Sequence, residues 1–144
     1  MADPNRVVVQ WSSLTRRDPR WHAGLCLYAY VHPSNKRLLY LGKADLQSVQ
    51  RRLYGSHKDA VFDEIWDLYA LEPHELEVLQ GELMLEEGRR RSSQLLSDVE
   101  SLLIIRLKPR CNIASTRSRI YRPGLRVDCV GDWPHRRWRF RDWD

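Results

Sequence analysis

Apolar residues in this chain recur with two different periods, and the change from one to the other marks the expected elements. Leu25 to Val31 (LCLYAYV) and Leu38 to Leu41 (LLYL) are short apolar runs separated by the turn-forming stretch His32 to Arg37. That arrangement predicts a β-hairpin. With the turn centred near Ser34, facing residues have numbers that sum to about 68, which sets Tyr28 opposite Tyr40 on one face of the pair. A slip of one residue would put Tyr40 out of line with Tyr28. Asp45 is a helix cap ahead of Leu46, Val49 and Leu53. Val61, Ile65, Leu68 and Tyr69 keep helical spacing within His57 to Leu71, and Pro73 follows. Glu75 to Leu85 alternates as a strand does, with Gly81 as a candidate bulge. Ser92 or Ser93 then caps a helix that ends before Pro109, with the stripe Leu95, Leu96, Val99, Leu102, Leu103 and Leu107. Glu100 falls at the edge of that stripe. Upstream, Arg6 to Trp11 reads as a short strand leading to a polar, basic loop, Ser12 to Arg20; downstream, Gly124 to Val130 reads as another strand.

These elements predict an α+β fold: a small antiparallel sheet of about three core strands in the order β-β-α-β-α, flanked by helices, with an extra C-terminal segment. A length of 144 residues suits one domain. Its expected parts are an N-terminal extension over 1–24, a core over 25–113 and a C-terminal extension over 114–144. The last fourteen residues mix Trp133, Trp138, Phe140 and Trp143 with Arg136, Arg137, Arg139 and Arg141. Stacking on bases is one use for such a tail. Folding back to bury the tryptophans is the favoured one, since free tails seldom carry so many.

Charge changes the picture more by placement than by total. The formal net charge is +5, but Ser101 to Val127 holds no acidic residue and seven basic ones: Arg106, Lys108, Arg110, Arg117, Arg119, Arg122 and Arg126. A one-sign stretch on a folded domain either faces a polyanion or is a solvated surface. Its overlap with the Glu100 helix favours the first. No long apolar run predicts a membrane span or a secretory leader, so a cytoplasmic protein is expected. Cys26, Cys111 and Cys129 lack metal-binding or disulfide spacing, which fits reduced thiols.

Tyr28, then Tyr40-Leu41-Gly42-Lys43-Ala44, then Arg52-Leu53, then Glu100 followed by Pro109 and Asn112, together resemble the GIY-YIG nuclease superfamily. The closest stretch is Glu100-Ser-Leu-Leu-Ile-Ile-Arg-Leu-Lys-Pro109-Arg-Cys-Asn112, and the likeness spans about Leu25 to Ile113. Departures exist. Cys26-Leu27-Tyr28 stands where the family has Gly-Ile-Tyr, and Tyr30 competes with Tyr28 from the same face. Arg51 competes with Arg52, and the family's histidine would fall at Ser56, beside His57.

The resemblance implies a metal-dependent endonuclease that hydrolyses phosphodiesters, with Tyr28, Tyr40, Arg52 and Glu100 catalytic. Glu100 would hold one Mg2+ or Mn2+, an ion that tolerates a single carboxylate because it keeps several waters. Arg52 would offer a fork of donors to a phosphate oxygen. Tyr28 would hold or deprotonate the attacking water, which needs help because a free phenol has a pKa near 10. Tyr40 would orient water or phosphate. Gly42, Lys43, His57, Arg110 and Asn112 complete the substrate-binding set, with Lys43 an alternative base and Asn112 better suited to fixing the loop after the helix. Nucleic acid is the expected partner, DNA before RNA. No targeting module is visible, so such a nuclease would dimerise, recognise structure or act within a larger complex. The alternative is a nucleic-acid-binding module that keeps the scaffold without turnover.

Overall fold

The computed structural model describes residues 5–15, 17–22, 24–45, 48–50, 59–85, 92–112 and 124–142. Six strands make one mixed sheet: β1 (Arg6–Ser13), β2 (Cys26–Val31), β3 (Leu38–Ala44), β4 (Glu77–Met84), β5 (Arg126–Gly131) and β6 (Arg139–Arg141). Two α-helices are described, α1 (Asp59–Tyr69) and α2 (Ser93–Leu107). The strand order is β3-β2-β4-β1-β5-β6, antiparallel throughout except for the β1–β5 pair.

This overturns the expected small antiparallel sheet of about three strands. The sheet is a six-strand mixed half-barrel, because both flanks of the chain are built into it. β1 alternates exposed and buried residues, with Val7, Val9 and Trp11 at zero exposure. That buried row needs partners on both sides: β4 pairs along one edge of β1 and β5 along the other. β5 then brings β6, whose Phe140 faces Val127. The C-terminal segment therefore folds back. Trp133 packs 5.2 Å from Trp11 and edge-on to Phe140, while Trp138 stays half-exposed beneath the Arg139 guanidinium, 4.6 Å away.

Alternation divides the side chains between two cores. One face of the sheet carries Leu27, Ala29, Leu41, Leu79, Leu83, Val127 and Cys129 against the apolar stripe of α2. The other face, under α1, carries Tyr28, Tyr30 and Val78, packed with Ile65, Cys111 and, at its margin, Tyr40 and Phe62. Gly81 is not a bulge. It pairs in register with both neighbours, and its missing side chain makes room for Trp11, whose Cη2 would lie 2.9 Å from a Cβ there. Farther along the sheet, Asp128 is buried but held by Arg6 at 2.9 Å and Arg139 at 3.2 Å. A carboxylate so desolvated needs such partners.

β3 is the edge strand, so its outward peptide groups need a partner. Asn112 supplies it. Its Oδ1 accepts from the Leu41 N–H at 2.9 Å, and its Nδ2 donates to the Leu41 carbonyl at 2.7 Å. The Cys111 N–H adds a bond to the Leu39 carbonyl at 2.9 Å. One buried amide thus stands in for a seventh strand and ties the exit of α2 to the sheet.

Replacing Asn112 with alanine leaves both Leu41 groups without their amide partner. The expected loss is about 2 kcal/mol of unfolding free energy by urea titration, with the m-value unchanged. A loss below about 0.5 kcal/mol would mean that water replaces the amide. All three cysteines are free and buried, and burial pushes the Cys111 thiol up to about 11 and the Cys129 thiol up to about 12. Iodoacetamide at mildly alkaline pH is expected to label none in the native protein and all three after unfolding, read by intact mass.

Candidate active site

The hairpin turn is longer than a centre at Ser34 allows. His32 to Arg37 closes through the His32 N–H to Arg37 carbonyl bond at 2.9 Å, with Lys36 left-handed at φ 61° and a register shift between Tyr30 and Val31. Facing residues therefore sum to 70: Tyr30 faces Tyr40, and Tyr28 faces Gly42. The expected Tyr28–Tyr40 pairing is corrected by one strand repeat. A shift of two residues keeps every side chain on its face, so the phenols still meet.

Three tyrosines form one cluster. Ring centroids lie 5.5 Å apart for Tyr28 and Tyr30, 6.1 Å for Tyr28 and Tyr40, and 5.3 Å for Tyr30 and Tyr40. Gly42 makes the arrangement feasible. A Cβ at that position would come within 2.6 Å of Tyr28 Cζ and Oη, and within 2.9 Å of Tyr40 Cε1. The Tyr28 phenol lies directly over the glycine, so Gly42 shapes the cluster sterically. Tyr28 and Tyr30, hydroxyls included, are buried, whereas Tyr40 is only partly covered. Gln80, buried, faces Tyr28 from β4.

No family model, curated protein or solved structure matches the chain. The geometry of the chain's own residues therefore carries the functional argument.

The remaining candidates divide between two faces. Lys43 faces the opposite side from the phenols and donates to Ser97 on α2; one residue pair on, Ser93 donates to Asp45 at 2.7 Å. Two strand residues rise about 6.6 Å and four helical residues about 6 Å, so α2 runs antiparallel along β3 with the two in step. Glu100, three residues after Ser97, lies on the same flank of the helix, half-buried. That flank is nearest the edge strand, close to the level of Leu41 and the Asn112 clasp. The helix that carries Glu100 and the phenols thus pack on opposite faces of the sheet. A pocket shared by all of them, as expected from sequence, would have to wrap the edge of β3.

Asn112 clasps the strand, with both polar atoms of its amide bonded to Leu41. Arg110 is exposed at the far end of α2, near the hairpin tip. Arg52, its competitor Arg51, and His57 lie outside the described residues. Among the described residues no group of three His, Cys, Asp or Glu side chains could cage a metal. The Tyr30–Tyr40 stack and the place of Gln80 were missed from sequence, because both depend on a register set by the turn.

Gly42→Ala is expected to cost about 1–3 kcal/mol through overpacking against a buried ring. In a Tyr28→Ala background only the Tyr40 contact remains, so the cost should fall, giving a coupling of about 1–2 kcal/mol in a double-mutant cycle. Additive effects would show that Tyr28 does not rest on the glycine.

Proposed function

We propose that the chain is a metal-dependent endonuclease of GIY-YIG type acting on DNA, with its site built around the edge strand β3. The observation that carries this reading is the convergence of two sets of residues on one strand. β3 bears Gly42 and the partly covered Tyr40 on one face. On the other it is tethered to the Glu100 helix through Lys43–Ser97, Asp45–Ser93 and the Asn112 clasp.

The donor set suits a hard cation that needs few protein ligands. Glu100 is only half-buried, and Mg2+ or Mn2+ takes one carboxylate, with waters and phosphate oxygens completing its shell. When bound, the ion supplies charge neutralisation at the phosphate and at the leaving oxygen. The chain's own residues do the rest. Tyr40 offers a hydroxyl to orient water or a phosphate oxygen, and Gly42 leaves the room that the neighbouring Tyr28 ring fills. Arg52 is the proposed guanidinium.

One observation favours the second reading, a binding module without turnover. The Tyr28 hydroxyl is buried, and a group that activates water must reach it. Within the enzyme reading this makes Tyr28 a support for Tyr40, with Tyr40 the working phenol.

The test is Mg2+-dependent nicking of plasmid, branched and single-stranded DNA, with RNA as a further arm. Glu100→Ala should lower the rate by roughly a hundredfold or more while stability stays within about 1 kcal/mol of wild type. Tyr40→Phe should slow cleavage more than Tyr30→Phe does. Binding without nicking on every substrate would establish the second reading. A large stability loss in Glu100→Ala would make the glutamate a structural residue.

A further inference from the structure

A concavity lies away from the phenols, where four segments meet. It is a cleft of about 750 Å³ between the hairpin turn, the C-terminal ends of α1 and α2, and the loop at Pro134 to Arg136. Its rim is basic: Lys36, Arg37, Lys108, Arg110 and Arg136, with His135 beside them, and among the described residues no carboxylate lines it. Lys36 is paired with Glu77 at 2.7 Å. Arg37, Lys108, Arg110 and Arg136 are exposed, and none forms an ion pair with a described carboxylate. Two helix C-termini contribute partial negative charge here, which accounts for one or two cations and leaves the others without a structural role. The floor differs from the rim. Leu38, Leu68, Tyr69, Leu107, Pro109 and Pro134 give it an apolar surface.

We propose that this cleft binds a single-stranded segment of nucleic acid, with phosphates on the basic rim and unstacked bases on the apolar floor. The rim alone would suit any polyanion. The floor decides between them, because a duplex presents only its charged backbone and stacked base edges, whereas a single strand can lay bases on apolar and aromatic side chains. The proposal rests on the nucleic-acid part of the function above and not on its chemistry. It deepens that reading by naming the substrate class: DNA with an unpaired segment next to the scissile bond, such as a flap or a branch.

Binding is read by fluorescence anisotropy with the full-length chain in EDTA, which separates it from cleavage. The probes are a labelled oligothymidylate, a duplex of equal length and inorganic polyphosphate. The single strand is expected to bind more tightly than the duplex. The triple variant Arg37→Ala, Arg110→Ala, Arg136→Ala should weaken single-strand binding at least roughly tenfold. It should also lower the salt slope by about 2, since each phosphate that is no longer neutralised takes away about 0.7. Leu68→Ala should weaken the oligonucleotide but not polyphosphate. Arg17→Ala, outside the cleft, should match wild type, and circular dichroism should show all variants folded. Equal single-strand binding by wild type and triple variant overturns the proposal, as does a duplex preference or equal Leu68→Ala effects on oligonucleotide and polyphosphate. If nicking occurs and the folded triple variant retains it and its binding, the cleft proposal fails while the nuclease reading stands. If no DNA is nicked but the triple variant loses single-strand binding, the enzyme reading fails and the cleft stands.

Discussion

The amide of Asn112 occupies the place where the sheet would otherwise continue. An edge strand leaves a row of peptide groups open, and those of Leu41 are met by one side chain from the segment just past α2. Because the bond runs both ways, it fixes position and orientation together. Its reach extends in two directions. Toward the start of α2 it holds the helix in step with β3, so that Ser97 and Ser93 find Lys43 and Asp45. Toward the helix end it brings Lys108 and Arg110 beside the hairpin turn, which forms one wall of the basic cleft. Both features proposed to act on nucleic acid therefore depend on an amide that belongs to neither.

The two faces of the sheet are under different demands. On the α2 face aliphatic side chains and Trp11 interlock, and Gly81 gives up its side chain so that the indole can lie flat. On the α1 face Gly42 does the same for a phenol. In both places a large ring is packed over bare backbone, a fit that tolerates no added methyl on the glycine. The difference is polarity. The indole packs against aliphatic side chains and the Trp133 ring, whereas the Tyr28 ring lies beside two other phenols and opposite the buried Gln80. A stack of hydroxyl-bearing rings beside a buried amide is a more specific arrangement than aliphatic filling would require. Stability alone does not explain it.

Much of the local structure was legible in the chain, and the reasons for the exceptions are physical. The α2 cap at Ser92, the hairpin and the strands at both termini follow from period and punctuation, which are local signals. Sheet width did not follow, because the parallel β1–β5 pair joins residues more than a hundred positions apart and leaves no mark in either strand. The register of the hairpin was missed because Lys36 adopts a left-handed conformation usually signalled by glycine or asparagine. For the site, Tyr28 and Tyr40 were placed on a common face by the expected hairpin pairing, and Tyr30 joined them by alternation. The face taken by the helix that carries Glu100 was not foreseeable, since a helix crossing over a sheet can settle on either face. The basic run at 101–127 also divided: Arg106 bonds the Arg141 and Asp142 carbonyls as a structural tie, while Lys108 and Arg110 turn to the cleft.

The hairpin supplies the link between the cleft and the phenols. Arg37 stands on the cleft wall and Tyr40 lies three residues on along the same chain, about 10 Å at the rise of a strand. That is a short span for an extended nucleic-acid backbone. A strand held by its phosphates at the rim would be delivered to the edge of β3 without any moving part, at a distance set by the covalent chain. On the proposed reading this geometry gives selectivity without a separate recognition module. An unpaired segment can lay its bases on the floor of the cleft, while a continuous duplex keeps them stacked and paired inside. Specificity would then come from the shape of the nucleic acid and not from its bases, consistent with a rim that offers charge and a floor that offers only apolar surface.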